Sequence, residues 1–194
     1  MNVFIALITL FVSITTHADL VDMFYYKGEA GAYVSRGQNE LISSENGFFF
    51  QYAKAEWNES VSFNIRNGDP ENPRNINLSF DSGATDIKLS VGTYTGVTRY
   101  PFNDIYGGPG LNFSKDGSGN NRLTGRFQIL GIQYNEFDEL ISFAADFTQV
   151  GDNGIAEFGS VRYNSAVPLT VPEPTSAALL VMSFMFRSIW VRRK

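Results

Sequence analysis

Cysteine is missing from all 194 residues, so neither a disulfide nor thiol chemistry is open to this chain. Histidine is nearly missing too, the one copy being His17 in the N-terminal stretch. A serine nucleophile then has no imidazole as its neutral-pH base, and zinc loses its commonest ligand, so no metal, no cofactor and no hydrolase of those kinds is expected. Positive charge is also short. There are 20 acidic and 15 basic residues, and removing Glu173 from the first set and Arg187, Arg192, Arg193 and Lys194 from the second leaves 19 against 11. A central region at −8 lacks the basic face that phosphate binding requires, which excludes nucleic acid as a partner. Helical periodicity is the last absence. No window of helix length keeps a 3.6 period outside the two ends of the chain.

Long apolar runs occur only at those ends. Residues 3–12 are ten in a row without charge, followed by Ser13-Ile14-Thr15-Thr16-His17-Ala18. The run is too short to span a membrane and suits the apolar core of an export signal, with Thr16 and Ala18 as the small residues a signal peptidase reads. Cleavage is expected between Ala18 and Asp19, making residues 1–18 a signal peptide and removing His17 with it. At the other end, Pro172-Glu173-Pro174 precedes a mostly apolar stretch at about 175–191 and then Arg192-Arg193-Lys194. The prolines fix φ and remove backbone donors, which keeps the tripeptide extended and Glu173 exposed. The apolar stretch falls short of the ~20 residues of an ordinary spanning helix, and Arg187 within it lies near enough to the basic end to snorkel. The positive-inside rule puts the basic cluster on the cytoplasmic side of the inner membrane and the tripeptide outside.

In its order, spacing and terminal position this tail resembles the PEP-CTERM sorting signal of Gram-negative bacteria. The resemblance covers about the last two dozen residues, 171–194, with Arg187 as its departure from the pattern. It implies processing near Pro172, Glu173 and Pro174 by an exosortase-type membrane protease, an inner-membrane-tethered precursor, and final placement at the cell surface or outside the cell. The rival reading is a permanent C-terminal anchor helix, although such anchors are usually longer.

Residues 19–170 make up one domain's worth of chain, and without cysteine it must be held by packing alone. The expected fold is all-β, a single antiparallel β-sandwich or jelly-roll-like domain. Val61, Phe63 and Ile65, and again Ile76, Leu78 and Phe80, alternate with polar residues at a period of two. The aromatic-rich runs 22–26 and 48–52 add two candidate strands. Turn residues separate them at Asn46-Gly47, Asn67-Gly68-Asp69-Pro70 and Asp81-Ser82-Gly83. The strongest signal is residues 123–164, which read as a three-stranded meander with hairpin connections at 135–139 and 150–154. Phe127 and Ile129 differ in parity from Ile132 and Tyr134, so a β-bulge at Gly131 is expected to keep one core face. The next strand should turn Ile141, Phe143, Ala145 and Phe147 inward. The third should send Val161 and Tyr163 one way and Phe158, Ser160 and Arg162 the other.

Residues 98–102, 116–121, 123–127, 142–147 and 158–165 together resemble an uncharacterised β-rich domain of PEP-CTERM and related secreted bacterial proteins. Members often carry one cysteine in the Gly-rich turn and another after the Ala-Ala-Asp-Phe strand. Here Asn120 occupies the turn and Val150-Gly151-Asp152 the later loop, so any such bridge is absent. The resemblance carries no activity with it.

A few residues invite sharper readings beside plainer ones. Asp146 between Arg126 and Arg162 is either a site or a cross-strand ion pair. The run 116–121 offers oxygens that suit calcium, yet it lacks the remote bidentate Glu and the remaining ligands of a calcium loop, which favours a plain Gly-rich hairpin turn. Residues 104–109 with Tyr100 and Phe102 either present rings to sugars or cap the end of the domain. For the whole chain, the first expectation is a structural or adhesive surface or matrix protein, not an enzyme. The alternative is an exopolysaccharide-binding module using Trp57 and exposed tyrosines, and a glycosidase working with two carboxylates is the third.

Overall fold

The computed structural model describes residues 20–54, 59–84 and 86–171. The expected processing points at Ala18 and Asp19 and at Pro172, Glu173 and Pro174, the stretch 175–191, the cluster Arg192, Arg193 and Lys194, and Trp57 all lie outside those residues. Among the described residues no helix is long and apolar enough to cross a membrane.

Period-two patterning becomes strands throughout. In chain order these are β1 (Met23–Gly28), β2 (Asn39–Ser43), β3 (Phe48–Lys54), β4 (Ser60–Asn67), β5 (Asn75–Asp81), β6 (Gly92–Thr95), β7 (Thr98–Arg99), β8 (Gly110–Lys115), β9 (Leu123–Tyr134), β10 (Leu140–Gly151) and β11 (Ala156–Tyr163). The one α-helix among the described residues, α1 (Asn103–Tyr106), sits between β7 and β8. The strands form two sheets, ordered β2-β1-β11-β10-β9-β6 and β3-β4-β5-β8-β7. Pairing is antiparallel except between β7 and β8. The expected meander is present as β9, β10 and β11, and β3, β4 and β5 make a second one. Strands adjacent in sequence mostly share a sheet, so the winding is not the two Greek keys of a jelly roll.

The two sheets share one core, rich in phenylalanine. Phe63 and Phe80 of one sheet each lie 5.2 Å, ring to ring, from Phe143 of the other, and Phe113 meets Phe147 at 5.7 Å and Phe24 at 5.6 Å. Such ring pairs add roughly 0.5–1.5 kcal/mol each beyond area burial. They are the packing that stands in for disulfides.

The register along β10 has two irregularities, and both redirect side chains. Gly131 pairs with Ala144 while Ile129 pairs with Ala145, so the unpaired bulge residue is Leu130, one position before the expected Gly131. The effect is the expected one, since Ile132 and Tyr134 pack against the same core as Phe127 and Ile129. The second shift leaves Ile141 unpaired between Leu140 and Ser142. That corrects the expectation for Ile141: Leu140 is buried in its place and Ile141 faces solvent, its carbonyl accepting from Asn164 Nδ2.

Glu157 occupies an inward position of β11 and is buried. Val34 N and Ser35 N donate to its Oε1 at 2.9 and 2.6 Å, and Gln149 Nε2 donates to its Oε2 at 2.9 Å. Gln149 also spans the gap between sheets, donating to Phe113 O and accepting from Phe113 N. A buried carboxyl is tolerable only with such donors.

Candidate functional site

Among the described residues, three places singled out in the sequence bring polar or aromatic side chains together, and two of them serve the fold. The first is on the outer face of the β9-β10-β11 sheet. Asp146 and Arg162 form the expected cross-strand ion pair at 3.0 Å, and Ser160 Oγ donates to Asp146 at 2.6 Å. Arg126 takes no part in that pair, because it faces Thr148 while Gln128 faces Asp146. Arg162 is wholly buried for a reason the sequence hides. The chain after β11 folds back over it, and its Nε and Nη2 donate to Val167 O and Pro168 O at 2.7–3.0 Å. Thr170 N completes the attachment by donating to Ser160 Oγ.

The second place is the far end of β8. Asp116-Gly117 is a two-residue turn with both φ positive, at 49° and 80°, closed by reciprocal backbone bonds between Lys115 and Ser118. Asp116 spends both oxygens on the protein, accepting from Arg74 Nε at 3.0 Å and Asn75 N at 2.8 Å. Its carboxyl is thus engaged as a turn residue and not directed at the loop interior. Arg74 also forks onto Glu40, which accepts from Tyr26 OH, and buried Lys115 donates to Tyr26 OH and Gln38 Oε1. Burial, with Arg74 nearby, holds the Lys115 ammonium below the usual lysine range.

The third place is the opposite end of β8, where the chain between β7 and β8 makes an aromatic projection. Asn103, almost fully buried, holds it by donating to Asp81 Oδ1 at 2.7 Å and Gly108 O at 3.2 Å. Gly83 allows the close approach: at φ 76°, a Cβ there would meet the Gly108 backbone at 2.2 Å. Gly83 N donates to the same Asp81 oxygen. Burial, reinforced by Asp104 and Glu59, raises the Asp81 carboxyl above the usual carboxylate range against the pull of those two donors.

Two hollows flank this projection. One, of about 300 Å³, is lined by Glu59, Asp81 and Asp104 together with Tyr100. Tyr100 belongs to that side, its hydroxyl 3.4 Å from Ser60 Oγ, and it is not grouped with Phe102 as the sequence suggested. The other is a cleft of about 520 Å³ lined by Arg99, Phe102, Ile105 and Tyr106 on one side and by residues 121–124 on the other. Its volume falls in the range of ligand sites, roughly 300–1,000 Å³. Phe102 is 46% exposed, Ile105 75% and Tyr106 69%. The Arg99 guanidinium lies 5.1 Å from the Phe102 ring centre. The exposed rings of Phe102 and Tyr106 gather at the end of the domain, on α1 and its approach. Sequence reasoning singled out Phe102 and the run 104–109 but missed Arg99 and Arg122, which carry no motif. No protein-family model, no curated protein and no solved structure matches the chain.

Proposed function

We propose that the chain is an exported surface or extracellular-matrix protein whose β-sandwich domain, residues 19–170, is adhesive and holds exopolysaccharide in the end cleft without cleaving it. The observation that carries the reading is the grouping of Phe102, Ile105 and Tyr106, all exposed, around one cleft. Exposed rings in a concave place match the apolar faces of pyranose rings, and exposed apolar side chains grouped in one place mark a binding site where scattered ones do not. Delivery rests on the two chain ends, an export signal at 1–18 and the PEP-CTERM-like tail at 171–194.

The binding part is tested by incubating the purified protein with the producing strain's exopolysaccharide while following retention and new reducing ends. Retention that weakens about tenfold on Tyr106→Ala, with no reducing ends released, is the expected result. Steady release of reducing ends that stops on replacing Asp81 would instead mark the neighbouring acidic hollow as a glycosidase site. For delivery, mass spectrometry of the exported protein should find nothing beyond about Pro174. Intact Arg192 to Lys194 on most of the surface protein would count against sorting.

A further inference from the structure

The end cleft, read as a saccharide site, carries charge as well as rings. Arg99 and Arg122 both line it, within a region that has 19 acidic and 11 basic residues. The ion pairs among the described residues engage Arg74, Lys88 and Arg162, and none engages Arg99 or Arg122. Two polar atoms of lining residues, Arg99 Nε and Thr98 Oγ1, are covered and have no hydrogen-bond partner among the described residues. Hydrogen-bonding capacity of this kind is rarely left unspent in a folded domain. The Asp152 carboxylate accepts from Asn121 N and Arg122 N at 3.1 and 3.3 Å through its Oδ2. Asp104, on α1, lines the acidic hollow on the other side of the projection.

We infer that the cleft takes an acidic saccharide, a pyranose chain bearing carboxylates, with Phe102 and Tyr106 against the ring faces and Arg99 and Arg122 on the carboxylates. A guanidinium fork matches a carboxylate in two parallel hydrogen bonds, and an aromatic ring matches the sugar's apolar face. The acidic remainder of the domain repels the same polymer, so the cleft is where such a chain settles. The inference rests on the saccharide-binding reading above and narrows it to one class.

The test uses the full-length chain in detergent against three immobilised probes: polygalacturonate, dextran and polyglutamate. Retention on polygalacturonate should exceed that on the other two by tenfold or more and fall as salt is raised. Arg122→Gln should weaken it about tenfold, the size expected of a lost charge-assisted hydrogen bond, while Arg126→Gln, another arginine outside every described ion pair and outside the cleft, leaves it unchanged. Arg122 is exposed, so its replacement leaves the melting temperature where it was. Equal retention on polyglutamate overturns the inference, because charge alone then suffices. Equal retention on dextran, insensitive to Arg122→Gln, overturns the acidic class while the saccharide reading stands. Retention on none of the three overturns both.

Discussion

Replacing Arg162 with methionine tests whether the segment after β11 is part of the fold or merely lies on it. In the wild-type chain the guanidinium donates to Val161 O and Ala145 O in the sheet, to Asp146, and to Val167 O and Pro168 O in the returning segment. Methionine fills much of the volume but strands the Asp146 carboxyl and the carbonyls above it. Removing one partner of a buried ion pair costs roughly 3–5 kcal/mol. For a domain of about 150 residues, each kcal/mol moves the melting temperature by ~2–4 °C, so the fall should be about 6–20 °C. Arg162→Lys should land between, because an ammonium can serve the carboxylate or the carbonyls but lacks the fork to serve both. Adding Asp146→Leu to Arg162→Met should recover part of the loss, since no charge is then left stranded. The assay is thermal melting by circular dichroism with limited proteolysis across residues 165–171. A methionine variant that melts within ~2 °C of wild type, with that segment no easier to cut, would refute the reasoning.

Asp81→Asn should stabilise the protein near neutral pH and lose that advantage in acid. The folded carboxyl titrates above its unfolded value, so its charge opposes folding at neutral pH and the penalty fades as pH falls through the raised value. Asparagine keeps the oxygen that accepts from Asn103 and Gly83; pH-dependent melting checks the sign. Asn120→Cys with Gly151→Cys should close a disulfide. A Cβ built on Gly151 lies 2.4 Å from Asn120 Cγ, which places the two Cβ atoms no more than about 3.9 Å apart, under the ~4.5 Å upper limit of natural bridges. The oxidised double variant should gain about 3–4 kcal/mol, whereas Gly151→Cys alone collides with Asn120 and should lose stability, as paired denaturant melts would register. Asn103→Ala should cost roughly 1–3 kcal/mol, and it should weaken saccharide retention because the aromatic projection loses its hold on Asp81 and Gly108.

The strands were legible where side chains alternate on schedule. Val61, Phe63 and Ile65 face the core as their spacing requires, and the meander of β9, β10 and β11 has the expected boundaries within a few residues. Ile141 was misread because an apolar residue at the right parity says nothing about a bulge that removes it from the ladder. Lys115 and Glu157 show the opposite case. Parity with Leu111 and Phe113, or with Val161 and Tyr163, placed both inward, but a charged residue reads as outward until its donors and acceptors arrive from distant strands. The cleft was half visible: exposed rings near α1 drew notice, while Arg99 and Arg122 come together only because β7 pairs in parallel with β8 and because the loop before β9 ends beside it. The pairing of Arg162 with Asp146 was legible, but its burial was not, since its cover is a segment without periodicity.

Any pull on the chain from beyond Val171 meets the bonds to the Arg162 side chain before it loads the backbone ladder of β11. The returning segment is fastened side-on to the sheet, so tension must shear several bonds to one guanidinium at once, and only then can it begin to unzip the β10-β11 ladder from its open end. A domain held by its C-terminal end thereby bears load at a side chain seated in its own sheet. The strands that carry the cleft lie further along the path of force, behind that fastening.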